Sequence, residues 1–306
     1  LGFKMPYKLL NESIARVKDG LNNKIAKIEE FLKSVSSKNE ANGNITIKEK
    51  KKKCILAEEV KQKDITLVGL DKIKKNSTIK ESAVLAKSKF FLKKDMISTP
   101  IPIINVALSG QLDGGLTPGL TVWAGSSKNF KTGFSLLMAK AYLDKYEDAV
   151  LLFYDSEFGT PQSYFSGFGI DIERVLHSPI TDVEQLKFDV MQQMNNIERG
   201  DHIIIVIDSI GNLASKKEVD DALDGKSVAD LSRAKQLKSL FRMVTPHLML
   251  KDIPMVVVNH TYKTMELYSK DIMSGGTGGY YSADNIFILG RQQEKDGTEL
   301  TGWNFI

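Results

Sequence analysis

The chain has 306 residues, of which 42% are hydrophobic, and it carries a formal net charge of +4. No apolar run approaches the ~18 residues that a membrane span needs. The single cysteine, Cys54, excludes an internal disulfide, and no Cys/His spacing suggests a zinc site. We therefore expect a soluble cytoplasmic protein with no membrane partner and with one good-sized core or two smaller ones.

The net charge hides an asymmetry between the two parts of the chain. Residues 1–95 carry 23 Lys and Arg against 12 Asp and Glu, a net of +11, whereas residues 96–306 carry 19 against 26, a net of −7. A basic arm of this kind binds nucleic acid, docks on an acidic body, or is merely solvated. The composition leaves these three alternatives open.

The first part of the chain is predicted to be helical and charged. Apolar residues at three-to-four spacing predict an amphipathic helix over residues 10–35, although Gly20 in its middle weakens that prediction. A charged linker follows, and its four lysines at positions 50–53 form either a solvated face or a contact to a phosphate backbone. Residues 55–94 are predicted as a second helical stretch.

After residue 99 the pattern changes to that of an α/β domain. Continuous apolar runs predict strands at GLTVWAG, AVLLFYDSE, HIIIVIDS, IPMVVVNH and NIFILG. Helices are predicted between them over residues 134–146 and 183–199. Continuous Val- and Ile-rich strands separated by helices imply a mostly parallel central sheet that helices cover on both faces.

The segment GSSKNFKTG lies between the first of these strands and a helix, which is the position of a phosphate-binding P-loop. Lys131 would reach the β- and γ-phosphates, and the Thr132 hydroxyl would coordinate Mg²⁺. Phe130 replaces the second glycine of the motif. Because any non-proline residue supplies an N–H, we expect Phe130 at negative φ, with its ring turned away from the phosphates toward the adjacent helix. The predicted nucleotide-binding set is Gly125, Ser126, Ser127, Lys128, Asn129, Phe130, Lys131, Thr132 and Gly133.

Acidic residues at the ends of two other strands complete a nucleotide site. Asp208 stands where a ligand to Mg²⁺-bound water belongs, although such a residue also caps turns. Glu157 could polarise an attacking water, whereas taken alone it would be an exposed loop carboxylate. Together with Lys131 and Thr132, these strand ends predict that ATP and Mg²⁺ are the bound cofactors.

Five stretches resemble the UvsX-like recombinases of tailed bacteriophages, in the RecA/Rad51 family. They are AGSSKNFKTG, LLFYDSEFGTPQSYF, VIDSIGNLASKKEVDDAL, LKSLFRMVTPHL, and VNHTY with GGTGGYYSADNIFILG. The resemblance runs from residue 79 to the end. It implies a RecA-like P-loop ATPase core that forms filaments on single-stranded DNA, pairs it with homologous duplex DNA, and exchanges strands with DNA-stimulated ATP hydrolysis. It also implies phage single-strand-binding and mediator proteins as partners, and the cytoplasm of an infected bacterium as the location.

The resemblance assigns roles to single residues of the nucleotide site. Glu157 and Lys131 match catalytic residues, and Asp208 matches the strand-end aspartate that holds Mg²⁺ through water. Tyr164 matches the residue that stacks on adenine, although an unassigned tyrosine is as often a core residue. His260 stands where most bacterial members have a glutamine that senses the γ-phosphate, and an imidazole can donate the same hydrogen bond.

The family also places two mobile DNA-binding loops, at residues 214–228 and 262–281. The first is not a basic patch, and the second is rich in glycine and tyrosine, which offer backbone N–H groups and stacking surfaces. The alternative for the second is an ordinary flexible surface loop. The candidate DNA-binding residues are Lys216, Lys217, Arg242, Tyr262, Lys263, Lys270, Gly275, Gly276 and Gly278.

Spacing, charge and the resemblance together predict three parts of the chain, of which the resemblance covers none of the first. Residues 1–54 form a helix and charged linker of unknown function, residues 55–98 a helical segment that docks on an adjacent subunit, and residues 99–306 the ATPase core. The chain ends at GWNFI, where the family continues into a basic segment that completes the neighbour's ATP site. We therefore expect a C-terminally truncated fragment that binds nucleotide and hydrolyses it poorly.

Two other functions share these motifs. One is a ring helicase or another motor built on a RecA core, which only the second loop and the N-terminal helix distinguish. The other is a non-hydrolysing DNA-binding fragment, which Phe130 favours and the intact Lys131, Glu157 and Asp208 oppose.

Overall fold

The computed structural model describes residues 68–88, 95–225, 232–265, 270–296 and 299–305. The chain separates into two compact units, Leu1–Ser82 and Ala83–Ile306. The amphipathic helix predicted over residues 10–35 and the four lysines at 50–53 lie outside the described residues. Within the described ranges, no helix is long and apolar enough to cross a membrane.

The described part of the first unit contains one helix, α1, at Val68–Asn76. Just after it, the Ser77 hydroxyl accepts from the Ile79 amide at 3.2 Å and lies 2.7 Å from the Ser82 hydroxyl. Such local side-chain bonds compete with the helical hydrogen-bond ladder. The continuous helical stretch predicted for residues 55–94 is therefore wrong at residues 77–84. In the second unit, Leu85–Lys87 form only a 3₁₀ turn.

Helices and strands alternate through the second unit. Its helices are α2 Pro102–Ser109, α3 Lys131–Lys145, α4 Gln162–Gly167, α5 Val183–Asn196, α6 Lys216–Leu223, α7 Ser232–Lys251 and α8 Gly278–Ser282. Its strands are β1 Gly119–Gly125, β2 Val150–Asp155, β3 Val175–Pro179, β4 Ile203–Asp208, β5 Pro254–Lys263, β6 Asp271–Met273, β7 Asn285–Leu289, β8 Arg291–Asp296 and β9 Glu299–Phe305. All five predicted strands are confirmed, and the two predicted helices correspond to α3 and α5.

The central sheet brings the carboxyl ends of its strands to one edge. The strand order is β3-β2-β4-β5-β1-β7, with every neighbouring pair parallel. The register pairs Asp155 with Asp208 and Gly125 with His260. Strand β6 pairs antiparallel with the end of β5, and β8 and β9 form a separate hairpin. This is the α/β architecture of a RecA-like core, as predicted.

Two apolar layers cover the two faces of the sheet. Alternate residues of β1 point to opposite faces, so that Leu120 and Val122 lie in the layer that α5 and α7 cover, whereas Trp123 lies in the layer that α3 covers. Burying a Leu or Val side chain contributes about 1.5–3 kcal/mol. The strand ends that carry polar residues are therefore held by a core on both sides.

Candidate functional site

A cleft of about 400 Å³ opens at the carboxyl edge of the sheet, where the loop after β1 meets the ends of β2, β4 and β5. Its volume is that of a small-molecule pocket. Gly125, Ser126 and Gly133 lie beside it, at the end of β1 and the start of α3. The residues that line it are Ser127, Lys128, Asn129, Phe130, Lys131, Thr132, Glu157, Gly159, Thr160, Tyr164, Asp208, Val258 and His260.

Lys131 begins α3 and is buried in the cleft. Its ammonium donates a 2.8 Å hydrogen bond to the Ser126 carbonyl oxygen, so the side chain lies across the loop. Burial lowers the pKa of Lys131, and the nearby Glu157 and Asp208 carboxylates act against that shift. An anion in the cleft would meet this ammonium together with the positive end of α3.

Thr132 and Asp208 form a direct pair at the floor of the cleft. The Thr132 hydroxyl donates to Asp208 Oδ2 at 2.7 Å. Asp208 is buried, and its Oδ1 has no hydrogen-bond partner among the described residues. Burial raises the pKa of Asp208 to about 6, although the Thr132 hydrogen bond opposes the shift. An orphaned buried carboxylate oxygen beside a hydroxyl fits Mg²⁺, which is usually held by one or two carboxylates together with waters and substrate phosphates.

Within the described ranges, no group of three or more His, Cys, Asp and Glu side chains could hold a metal ion. One carboxylate and one hydroxyl, the groups that Thr132 and Asp208 supply, are ligands of an ion that completes its coordination with waters and substrate phosphates.

Glu157 accepts two hydrogen bonds through the same oxygen. Ser209 Oγ donates to Oε1 at 2.5 Å, and His260 Nε2 donates to it at 2.8 Å. The His260 bond is the main cause that lowers the pKa of Glu157 to about 2, while burial opposes the shift and the Ser209 bond adds to it. The Glu157 carboxylate is thus ionised and oriented toward the ends of β4 and β5.

Sequence reasoning missed the residues that position Glu157. Asp155 Oδ1 accepts the backbone N–H groups of Glu157 at 3.0 Å and Phe158 at 2.7 Å. The Ser156 hydroxyl donates to the Ser209 carbonyl at 2.6 Å and accepts the Ser209 amide at 3.0 Å. These bonds fasten the end of β2 to the end of β4. One signal in the sequence could have identified them: polar residues follow directly after two apolar runs that predict neighbouring strands.

The prediction for the backbone of Phe130 is wrong. Its φ is 59° and its ψ is 22°, which is the left-handed conformation. The turn into α3 requires this conformation, which glycine adopts without steric cost, so position 130 needs more than an N–H group. The ring does lie against α3, as expected, in an edge-to-face contact with Phe134 at 5.5 Å.

Tyr164 lies on α4, at the side of the cleft. Its ring meets Phe168 edge to face at 5.2 Å. Burial raises the pKa of Tyr164, and the Asp208 carboxylate acts in the same direction. The tyrosine therefore presents a neutral aromatic ring to the same cleft as Lys131.

The first predicted DNA loop contains regular structure. Within residues 214–228, the described part includes α6, and the Ser215 hydroxyl caps this helix by accepting the Glu218 amide at 3.1 Å. Lys216 and Lys217 therefore stand in the first turn of a helix rather than on an irregular loop. The Lys217 ammonium pairs with Asp221 one turn later.

The second predicted DNA loop is partly a β-hairpin. Strand β5 continues beyond the sheet to Lys263, and its last residues pair with β6, with Tyr262 opposite Ile272. The Lys270 amide donates to the Thr264 hydroxyl at 2.9 Å. Tyr262 and Lys263 are exposed on this hairpin, and residues 266–269 lie outside the described ranges.

The glycines of the second loop differ in their roles. Gly275 and Gly276 have φ values of 88° and 77°, which disfavour other residues. Gly278 is buried, and a Cβ there would lie 2.7 Å from the Cα of Lys238, so its smallness allows α8 to pack against α7. Arg242 is an exposed residue of α7.

Arg233, which sequence reasoning also missed, joins the bases of the two loops. Its guanidinium donates to the carbonyl oxygens of Leu213 at 2.6 Å, Ile210 at 2.7 Å and Gly211 at 2.6 Å, and to the Ser274 hydroxyl at 3.3 Å. Burial lowers the pKa of Arg233. The segment after β4 and the segment after β6 are thus held by one side chain from the first turn of α7.

Comparison with known proteins gives one informative similarity. The chain is 52% identical, over 232 residues, to the recombination and repair protein of Enterobacteria phage T4. The match covers 76% of this chain and 59% of that protein, so the chain spans less than two thirds of the length of its relative. No protein-family model matches the chain.

Proposed function

Because the chain belongs to the family of UvsX-like phage recombination and repair proteins, within the RecA/Rad51 group, we propose that it catalyses ATP-dependent homologous DNA recombination. In this proposal it assembles on single-stranded DNA, pairs that strand with homologous duplex DNA, and exchanges strands while it hydrolyses ATP. The substrates are ATP with Mg²⁺ and the two DNA molecules.

The observation that carries the proposal is the convergence of three groups in one cleft. Lys131, the Thr132–Asp208 pair and Glu157 come from the ends of three parallel strands and line the same space. Phosphoryl transfer needs a cation near the phosphates, ligands for Mg²⁺ and a group that orients the attacking water. Each requirement has one candidate at this edge of the sheet.

Each residue then has a defined task. The loop amides and Lys131 would bind the phosphates, while the Thr132 hydroxyl and Asp208, the latter through water, would hold Mg²⁺. When bound, the ion would neutralise charge on the phosphate oxygens. Glu157 would orient the attacking water and take its proton.

His260 would link hydrolysis to the γ-phosphate. A carboxylate with a pKa of about 2 is a poor general base, and the His260 bond is the main reason for that low value. When His260 donates to a phosphate oxygen instead, Glu157 loses that bond and its pKa rises. The 2.8 Å contact between the two side chains supports this role.

The remaining assignments extend the same proposal. Tyr164 would stack on adenine, and the two segments that Arg233 joins would contact DNA through the candidate residues given above. Residues 99–306 would form the ATPase core, residues 55–98 would dock on an adjacent subunit in a filament, and residues 1–54 have no assigned role. Phage single-strand-binding and mediator proteins would be partners in the cytoplasm of an infected bacterium.

A single-turnover ATPase assay with and without single-stranded DNA tests the proposal. We expect DNA to accelerate hydrolysis and Lys131→Ala to abolish nucleotide binding. Electron microscopy of the same samples should show filaments on DNA, and a strand-displacement assay should show no unwinding of duplex DNA. Rings that unwind duplex DNA would instead identify a helicase, and nucleotide binding without any turnover would identify a non-hydrolysing DNA-binding protein.

A further inference from the structure

We propose that Phe130 and Gly133 are a matched pair that joins the phosphate-binding loop to the helix bearing Tyr164, so that Phe130 is a positioning residue for the adenine base. The inference rests on the proposed ATP binding and adds a determinant of base selectivity to it. Phe130 is the residue that departs from the P-loop motif.

Phe130 and Gly133 fit closely against each other. The left-handed backbone of Phe130 turns its ring back over the first turn of α3. A Cβ at position 133 would lie 2.4 Å from both Cε1 and Cζ of that ring, which no real side chain permits. Position 130 thus lacks the glycine of the motif, and Gly133 provides the space that the phenylalanine ring occupies.

A continuous row of aromatic rings runs from the core to the cleft. Trp123 of β1 stacks on Phe134 at 4.8 Å, and Phe134 meets Phe130 edge to face at 5.5 Å. The ring centroids of Phe130 and Phe168 are 6.1 Å apart, and those of Phe168 and Tyr164 are 5.2 Å apart. The position of Tyr164 therefore depends on a ring that belongs to the phosphate-binding loop.

Two rings of this row, the middle one and the one at its outer end, face the same space. Phe130 and Tyr164 both line the cleft, together with Lys131 and Thr132, and 40% of the Phe130 surface remains exposed. With glycine at position 130, this residue would make no side-chain contact between the phosphate-binding loop and α4, which carries the base-binding tyrosine. Here the ring of Phe130 holds the base-binding side chain at a fixed distance from the phosphates.

A thermal double-mutant cycle tests the matched pair without nucleotide. In the parent chain, we expect Gly133→Ala to lower the melting temperature by about 4 °C or more, because the new methyl group collides with the ring. In the Phe130→Gly background, the same change should raise it by about 2 °C, because alanine is the better helix former. Additive effects of equal sign in the two backgrounds would overturn the pairing.

Equilibrium binding of ATP and CTP tests the positioning role. We expect Phe130→Gly to reduce the preference for ATP over CTP by about three- to tenfold, because a loosened Tyr164 stacks less well on the larger base. Phe130→Leu keeps an apolar contact to Phe168 and should lose less. An unchanged preference in Phe130→Gly would overturn the role of Phe130 while leaving ATP binding intact. Binding of neither nucleotide by the parent chain would instead overturn the proposed function itself.

Discussion

At the scale of single residues, the pKa values of two carboxylates that line one cleft are shifted in opposite directions. Burial raises the pKa of Asp208 to about 6, and hydrogen bonds led by that from His260 lower the pKa of Glu157 to about 2. Desolvation penalises a charge, whereas donated hydrogen bonds stabilise it. Opposite shifts of this kind separate the roles of paired acids in enzymes. Here they suit Asp208 to a cation and keep Glu157 ionised.

His260 is expected to control the response of hydrolysis to DNA. His260→Ala should retain ATP binding and lose DNA stimulation of the ATPase, because the pKa of Glu157 would no longer depend on a movable donor. His260→Gln should retain stimulation, since an amide can donate the same hydrogen bond. Steady-state ATPase rates with and without single-stranded DNA, beside ATP affinities, make the measurement. Undiminished stimulation in His260→Ala would contradict the role.

Asp208 predicts a pH dependence for Mg²⁺-nucleotide binding. Only the carboxylate binds the cation, and the raised pKa means that the protonated form prevails below about pH 6. Nucleotide affinity in Mg²⁺ should therefore fall as the pH drops through about 6, whereas affinity in EDTA should change less. Asp208→Asn should show the low affinity at every pH. A Mg²⁺-dependent affinity that stays flat between about pH 5 and about pH 8 would argue against Asp208 as the ligand.

The same shift has a consequence for stability. The folded pKa of Asp208 lies above its ordinary value of 3.8, so the folded protein binds the proton more tightly than the unfolded chain. Folding stability from this group is present below about pH 4 and is lost as the pH rises through about 6. Bound Mg²⁺ would offset that loss at neutral pH.

The sequence predicted which charged and hydroxyl residues meet in the cleft, but it did not predict the residues that hold them in place by hydrogen bonds. Lys131, Thr132, Glu157 and Asp208 stand at the ends of strands that apolar patterns reveal, so their meeting in space follows from a parallel sheet. The roles of supporting residues such as Ser209 depend on which strands are neighbours, and the order β2-β4-β5 is not written in local patterns. The φ of Phe130 was mispredicted because the turn geometry, and not only the N–H, constrains that position.

At the scale of elements, the presence of a continuous apolar run decided which strands the sequence revealed. Strands β1, β4 and β5 have neighbours on both sides and helices on both faces, so they read as continuous apolar runs. Strand β3 lies at the edge of the sheet and is only partly buried, with Leu176 and His177 exposed. Its five residues carry no continuous apolar run, and it was missed for that reason.

Arg233 is expected to hold the two predicted DNA-binding segments, after β4 and after β6, against the core. Arg233→Lys keeps the charge but cannot bridge three carbonyl groups and a hydroxyl. We expect chymotrypsin to cleave after the tyrosines of residues 262–281 at least about tenfold faster in this variant, since each hydrogen bond from a charged group contributes about 1.5–3 kcal/mol. Single-stranded DNA with ATP should protect the parent chain.

A matched control lies on the same helix. Arg242→Lys should weaken DNA binding and leave the cleavage rate without DNA unchanged, because Arg242 is exposed on α7. Equal cleavage rates for the parent and Arg233→Lys would contradict the tether. Cleavage of the parent that DNA and ATP do not slow would contradict the assignment of residues 262–281 to DNA.

At the scale of the whole molecule, the charge asymmetry predicts salt-sensitive self-association. Residues 1–95 carry a net charge of +11 and residues 96–306 a net of −7, so docking of the first on a neighbour's second would be favoured over about 10 Å at 0.1 M salt and over only about 3 Å at 1 M. Sedimentation should therefore show assembly weakening as salt rises. Replacing Lys72, Lys74 and Lys75, which are exposed on α1 in the proposed docking segment, with glutamine should weaken assembly at low salt without changing affinity for a short oligonucleotide. If oligonucleotide affinity falls instead, the arm binds DNA.

Strand β5 runs from the nucleotide cleft into the predicted DNA-binding hairpin, and its side chains alternate between two faces. His260, against Glu157, and Tyr262, exposed on the hairpin, are two residues apart on one continuous strand, so both side chains leave the same face about 7 Å apart. Inserting one residue between them would place the tyrosine side chain on the opposite face of the strand from the histidine. Inserting two residues would return both side chains to the same face. Communication between nucleotide and DNA would then depend on whether the spacing is even or odd, rather than on its length.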